Sequence, residues 1–253
     1  MPGLSIITVV KDDPEGLQRT LTSIDAQGEL DAEVVIVDGS SHALEDVTLS
    51  SLPWRIVRQS PRGIYSAMNA GLESVSGEYV YFLNAGDTLS DSGTLRRILD
   101  GLRESPESVW AFGTVQFYDE SANPLPEPPW SYESERGRLF ARGVFPAHQG
   151  VVARTDALRH LGGFDESYIV AADYKLILQL STLASPIRWT WSIARFQQGG
   201  TSTRRWRTAL REFHRARLDV FKPAGKSRIV EAIDTSRLST KTFIARAIGS
   251  IHR

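Results

Sequence analysis

Three short segments constrain this chain more than anything else in it. Leu4–Val10 (LSIITVV) runs into Lys11-Asp12-Asp13-Pro14, Glu33–Val37 (EVVIV) into Asp38-Gly39-Ser40-Ser41, and Glu78–Leu83 (EYVYFL) into Asn84-Ala85-Gly86-Asp87. Tyr79, Val80, Tyr81, Phe82 and Leu83 are aromatic, β-branched or apolar with no polar alternation, the pattern of a strand buried on both faces. A turn accounts for Gly86 and a helix cap for Asp87, but neither accounts for the whole Asn84–Asp87 segment.

Helical signals lie between the strands. Asp13-Pro14-Glu15 reads as an N-cap, a proline at the first helical position and an acid in the first turn, with Leu17, Leu21 and Ile24 as the apolar face. A second helix is expected from Ser60 as cap and Pro61 as first residue, with Ile64, Met68, Leu72 and Val75 on one face and Gly77 past its end. Leu95, Ile98, Leu99 and Leu102 mark a third. With a strand at Trp54–Arg58, the order is β-α-β, which predicts an α/β fold with a mostly parallel central sheet flanked by helices and right-handed crossovers. Ligands of such sheets bind outside the carboxyl ends of the strands, where Asp38 and Asn84–Asp87 would stand together.

The second half is less regular. Strands are expected at Val109–Tyr118, Val151–Arg154 and Arg188–Phe196, and helices at Asp156–Leu161 and Ala172–Leu183, the latter carrying Asp173 at its start. A segment with prolines at 124, 126, 128 and 129 reads as a loop or lid, with Trp130 and Tyr132 as candidates for acceptor contact. Trp189, Trp191 and Phe196 are expected to pack in the core. From residue 203 the pattern is helical and basic, giving an expected division into residues 1–202 and a C-terminal basic helical tail, 203–253. Residues 201–253 hold 13 Lys and Arg against 4 Asp and Glu, net +9, which leaves −10 for residues 1–200. Such a tail suits an anionic membrane surface or an anionic lipid-linked substrate, or simply a solvated helical face. With no nucleic-acid motif beside it, no nucleic acid is expected as a partner.

Composition and motif absences narrow the chemistry. There are no cysteines, so no thiol chemistry, and a reducing, cytoplasmic compartment fits. No signal peptide is read at the N-terminus, and no stretch approaches the ~18 apolar residues of a membrane span. A dinucleotide fingerprint, a P-loop, a nucleophile elbow and zinc spacing are all missing. Carboxylate chemistry remains, with Asp38, Asp87 and Asp173 near one rim. A hard divalent ion takes one or two carboxylates and leaves positions for phosphates, and Asp87 is the best ligand candidate.

LSIITVVKDDPEGLQRTLTSI, EVVIVDGSS, GIYSAMNAG, GEYVYFLNAGD, HQG, AADY and GGTS occur in this order across residues 3–202. The set resembles the inverting glycosyltransferases of family 2, in the branch of bacterial O-antigen and exopolysaccharide synthesis. The resemblance implies a GT-A fold, a nucleoside-diphosphate sugar donor (UDP-, GDP- or dTDP-linked), a divalent metal (Mn²⁺ or Mg²⁺) and a glycan or lipid-linked acceptor. A peripheral place at the inner face of the cell membrane fits it.

Carried over by position, the resemblance implies a role for each motif. Asn84, Ala85 and Asp87 match the family's D-x-D-type segment, with Asp87 on metal and diphosphate and Asn84 near the ribose. Asp38 resembles the acid that contacts the base, and Thr8 and Val10 would line its pocket. Asn69 would face the donor. Asp173 matches the catalytic base, and His148 and Gln149 would contact the acceptor or the departing phosphate. Three positions depart from the pattern: Ala43 and Ser66 stand where an Asp is usual, and Pro61-Arg62 where an acid is usual. Arg62 could contact a phosphate instead.

Plainer roles stand beside these. Asp87 could cap the following helix, Asp38 could be a turn residue, and Asp173 could be a first-turn acid worth only ~0.3–1 kcal/mol. His148 and Asn69 could serve structure alone. A sugar nucleotidyltransferase would need a Gly-rich, basic phosphate loop after the first strand, which Lys11–Pro14 does not supply. A catalytically silent nucleotide-sugar-binding subunit is the other alternative.

Overall fold

The computed structural model describes residues 2–42, 44, 47–60, 62–119, 121, 123–125, 145–197, 205–222, 229, 233 and 236. Trp130, Tyr132, the GGTS motif at 199–202, the departures at Ala43 and Pro61, and most of the tail beyond residue 222 lie outside the described residues.

Eight strands form one sheet: β1 (Leu4–Val10), β2 (Ala32–Asp38), β3 (Trp54–Arg58), β4 (Tyr79–Phe82), β5 (Thr88–Leu89), β6 (Trp110–Tyr118), β7 (Val151–Arg154) and β8 (Ile187–Gln197), in spatial order β3-β2-β1-β4-β7-β6-β8-β5. The β1/β2, β2/β3, β1/β4 and β6/β8 pairs are parallel, whereas β7 runs against both β4 and β6, and β5 against β8. Six strands therefore share a direction, and the sheet is mostly parallel as expected. Every residue of β1, β2 and β4 is buried, which is why these strands read as mostly apolar runs without alternation. β3 is the exposed edge, and its Arg55 and Arg58 leave it a poor template for another chain.

Among the described residues these helices cover the two faces: α1 (Pro14–Asp25), α2 (Ile64–Ser74), α3 (Thr94–Arg103), α4 (Thr155–His160), α5 (Ala172–Leu183) and α6 (Trp206–Phe221). Leu17, Leu21 and Ile24 of α1 and Leu95, Ile98, Leu99 and Leu102 of α3 pack on one face against Ile6, Ile36 and Tyr81. Met68 and Leu72 of α2 and Tyr174, Ile177 and Leu178 of α5 pack on the other against Ile7, Val37 and Phe82. Each core leucine removed from water stabilises the fold by roughly 1.5–3 kcal/mol. Trp189 is buried and stacks on Trp191 with ring centroids 5.1 Å apart, so these aromatics serve the core.

Two local expectations are corrected. α2 begins at Ile64, not at Pro61, because Gly63 at its N-cap has φ 124°, a left-handed conformation that stops the helix from extending backwards. Asp87 caps nothing: β5 follows it, and α3 starts only at Thr94. Beyond residue 202, α6 lies against α5, with the Phe213 and Tyr174 rings 4.5 Å apart and Ala216 fully buried. Among the described residues no helix is long and apolar enough to cross a membrane.

Candidate active site

The carboxyl ends of β1, β2 and β4 open on one rim. Because β7 is antiparallel to β4, the 3₁₀ turn His148–Gly150 just ahead of it reaches the same rim. Asp173, in the first turn of α5, arrives there from the far side of the sheet's cover.

The Asn84–Asp87 turn is pinned to α1. Thr20 Oγ1 donates to the Asp87 carbonyl at 2.7 Å and accepts the Gly86 N–H at 3.0 Å, while the Ala85 N–H donates to Val9 O at 3.0 Å. Gly86 has φ 95°, open to glycine and rare for other residues, which is the reason for the glycine between Asn84 and Asp87. Thr20 is fully buried. Sequence reasoning passed over it, although a polar residue at the buried helical phase of Leu17, Leu21 and Ile24 was a usable signal.

Asp87 is 6% exposed. Burial pushes its carboxyl up to about 7, against the opposing pull of the nearby His148 and a hydrogen bond from the Gln149 side chain. A buried carboxylate so poorly compensated suits a cation that the protein itself does not supply. Asn84 Oδ1, at the start of the same turn, is buried without a hydrogen-bond partner among the described residues. The described residues hold no cluster of three His, Cys, Asp or Glu able to bind a metal by themselves.

Asp173 stands at the other end of the site. His148 Nδ1 faces Asp173 Oδ2 at 3.3 Å and His148 Nε2 faces Asn84 Nδ2 at 3.3 Å. A carboxylate only accepts and this amide nitrogen only donates, so the neutral Nδ1–H tautomer satisfies both contacts. Asp173 Oδ1 accepts the Tyr65 hydroxyl at 3.4 Å and the Tyr174 N–H at 2.8 Å. Burial and the negative charge of Asp173 raise the Tyr65 hydroxyl well above its ordinary value, so it stays a donor. Tyr65 stacks on Phe164 at 5.6 Å, which fixes its ring. The floor beneath His148 and Asp173 is apolar, with Val80, Phe82, Leu176 and Ile177 around a cavity of about 20 Å³, room for one water.

Asp38 is fully buried at the end of β2, paired with Arg58, and accepts the Ser40 N–H at 2.9 Å. Burial alone would raise its carboxyl; the Ser40 hydrogen bonds and the Arg58 guanidinium outweigh it and hold the carboxyl below the usual range. The adjoining loops are laced together, as Asp12 Oδ1 accepts the Ser41 N–H at 2.8 Å. Val10, in register with Asp38, and Thr8 are both buried, and Thr8 Oγ1 has no hydrogen-bond partner among the described residues. Gln149 is buried and its carbonyl takes the Tyr81 hydroxyl at 2.9 Å.

Two residues stand apart from this group. Asn69 spends both amide atoms on Phe164, donating to its carbonyl and accepting its N–H at 2.8 Å each, so it clamps the Gly163-Phe164 loop and offers no free amide to a donor. Arg62 is exposed before α2 and makes no ion pair among the described residues. A hollow of about 320 Å³ lined by Asp31, Arg96, Asp100 and Arg103 lies toward the opposite end of the strands, away from every residue of the site.

The family model described as glycosyl transferase family 2 matches residues 5–162. Similar curated proteins include an uncharacterized glycosyltransferase of Mycobacterium tuberculosis, 28% identical over 216 residues that cover 81% of this chain and 78% of that one. A PGL/p-HBAD biosynthesis glycosyltransferase of Mycobacterium bovis is 28% identical over 180 residues, 68% of this chain and 67% of that one. Among solved structures, residues 1–349 of S. aureus TarS in complex with UDP-GlcNAc match with a TM-score of 0.65 at 15% identity, covering 95% of this chain and 72% of that one. At that identity the likeness shows the fold.

Proposed function

The chain belongs to glycosyl transferase family 2, and from that premise we propose that it transfers a sugar, with inversion, from a nucleoside-diphosphate donor to a glycan or lipid-linked acceptor of the cell envelope. The observation that carries this reading is the His148 imidazole, which touches Asn84 of the donor turn and Asp173 within 3.3 Å each. One residue thus links the candidate leaving-group side of the site to the candidate base.

In this reading the donor lies across β1, β2 and β4. Val10 and Asp38 border the base, Asn84 and Ala85 the ribose and diphosphate, and Arg62 a phosphate. A divalent cation, Mn²⁺ or Mg²⁺, would be held by Asp87 and would neutralise the charge of the departing diphosphate. Asp173 takes the proton from the acceptor hydroxyl as that oxygen attacks the anomeric carbon. The bond from that carbon to the diphosphate oxygen breaks, and the diphosphate leaves with the electron pair. Tyr65 and His148 hold the carboxylate so that its accepting lone pair faces the incoming hydroxyl. His148 and Gln149 border the acceptor. A UDP donor is favoured among the three because the TarS structures of the same fold hold UDP and UDP-GlcNAc. Attachment to the inner face of a membrane is supported by the exposed Arg207, Arg211 and Arg215 of α6 and by the net +9 of residues 201–253.

The test is thermal stabilisation by UDP, GDP and dTDP, each with Mn²⁺ and with EDTA, on wild type and Asp87→Ala. A ligand that binds the native state raises stability as RT ln(1 + [L]/Kd). The expected result is a shift with one nucleotide that disappears in EDTA and in the variant. No shift with any of the three would sink the donor site.

A further inference from the structure

α5 begins without a cap of its own. Ala171 occupies the N-cap position and no side chain of the helix takes up the N–H groups ahead of it. They are collected from another element. Glu212, on α6, accepts the Ile169 N–H at 2.8 Å through Oε1, and the Val170 and Ala171 N–H groups at 2.9 and 3.0 Å through Oε2. Glu212 is 8% exposed and makes no ion pair among the described residues. Its charge is answered by these three N–H groups and by the positive end of the α5 dipole, in charge-assisted hydrogen bonds. A buried anion without such partners would be strongly disfavoured, so the carboxylate and the Ile169–Ala171 backbone fix each other.

The rest of α6 grips the same segment on both sides of Asp173. Tyr168 donates its hydroxyl to Asp219 at 2.9 Å. Arg217, 1% exposed, donates to the Tyr174 hydroxyl at 3.3 Å, and Phe213 packs on the Tyr174 ring. Asp173 thus sits two residues beyond a backbone stretch held by Glu212 and one residue before a side chain held by Arg217. None of these contacts involves the strands that would carry the donor.

We infer that Glu212 is a positioning residue for Asp173: it sets the start of α5, and through it the carboxylate, while leaving the donor side untouched. This rests on the reading of Asp173 as the base. It makes α6 part of the catalytic apparatus rather than an appendage to it.

The test compares wild type, E212Q and E212A in three measurements: kcat and donor KM for diphosphate release from UDP-N-acetylglucosamine, or from the GDP- or dTDP-linked sugar that the wild type turns over; nucleotide affinity; and amide hydrogen exchange across residues 168–174. E212Q keeps the volume but turns an N–H donor toward backbone N–H groups, so it carries the test if E212A does not fold. The expected result is a fall in kcat of tenfold or more with donor KM and nucleotide affinity within twofold, and faster exchange confined to residues 168–174. Faster exchange there with kcat within threefold of wild type would overturn the positioning role. So would kcat, KM and exchange failing together across the whole protein, which marks a residue that only stabilises the fold. A wild type inert on every donor overturns the glycosyltransferase reading itself, and the role assigned to Glu212 falls with it.

Discussion

His148 Nδ1 stands 3.3 Å from Asp173 Oδ2, and the other oxygen of that carboxylate takes hydrogen bonds from Tyr65 and from the Tyr174 backbone. The two residues come from different elements, a 3₁₀ turn before an antiparallel strand and the first turn of α5. A carboxylate that only ended a helix would need neither partner.

If Asp173 accepts the acceptor's proton, Asp173→Asn should lower kcat by about 10²–10⁴-fold, the span typical of a lost general base. Nucleotide affinity should stay within twofold. Tyr65→Phe removes one hydrogen bond worth ~0.5–1.5 kcal/mol and should cost about 3–10-fold in kcat. Diphosphate release and nucleotide titration on the same preparations check both. An Asp173→Asn variant with more than a tenth of wild-type turnover would rule out the assignment.

The Asn84–Asp87 turn depends on Thr20. Thr20→Val keeps the shape but takes from the Asp87 carbonyl the hydroxyl that donates to it, while the Gly86 N–H keeps the Gly16 carbonyl at 3.0 Å. A buried polar group left unsatisfied costs about 1–3 kcal/mol, a drop of roughly 2–10 °C in Tm for a chain of this size. The nucleotide-induced thermal shift should shrink as well, because the turn that carries Asp87 loosens. Thr20→Ser keeps the hydroxyl and should retain most of both. Equal behaviour of the Ser and Val variants would remove the hydroxyl from the account.

What the sequence discloses depends on how local each cause is. β1, β2 and β4 are legible because burial on both faces leaves them mostly apolar, with no polar residue recurring at every second position to suggest a solvent face. The polar rim is legible because Asp38 and Asn84–Asp87 follow those strands directly. β5 has two residues and the turn at His148–Gly150 three, too few for a period to register. Pro61 misleads about α2, since the left-handed Gly63 two residues later decides where the helix starts. Asn69 matches its motif, yet its amide goes to a backbone 95 residues away, which the motif does not encode. Glu212 is illegible for the same reason: its partners lie 41–43 residues back, and nothing in a basic amphipathic helix announces that its lone central acid turns inward.

Asp87 should weaken the metal-free fold at neutral pH. Burial lifts its carboxyl from the ordinary 3.8 to about 7 in the folded protein. An acid with a folded value above its unfolded one binds more protons folded than unfolded between the two, so stability declines as pH rises from about 4 to about 7 and is flat beyond. In EDTA, the Tm of Asp87→Asn should therefore exceed that of wild type by an amount that widens over this range, to about 2 °C or more at pH 8. Nucleotide with Mn²⁺ should raise the wild type and leave the variant unmoved, the trade of stability against binding expected of a site residue. A Tm difference that stays constant from pH 4 to pH 8 would contradict the burial argument.

Glu33 should do the opposite, at the other end of the strands. Its carboxylate accepts hydrogen bonds from the Ser76 N–H at 2.7 Å and the Ser5 hydroxyl at 2.7 Å, and pairs with Arg55 at 2.7 Å. Burial alone would raise it, but these partners prevail and lower it from 4.5 to about 2. A folded value below the unfolded one means stability that is complete above 4.5 and lost as pH falls toward about 2. Hydrogen bonds to a charged group contribute about 1.5–3 kcal/mol, so Glu33→Gln should lower Tm at pH 7 by at least about 3 °C. The gap between variant and wild type should shrink below pH 4.5 and close near pH 2, read by circular dichroism melts across that range. Nucleotide affinity should be unchanged, because Ser5, Glu33 and Ser76 tie β1 and β2 to the end of α2 on the side of the sheet away from the rim. A gap that persists at pH 2 would place the effect in packing rather than in the charge.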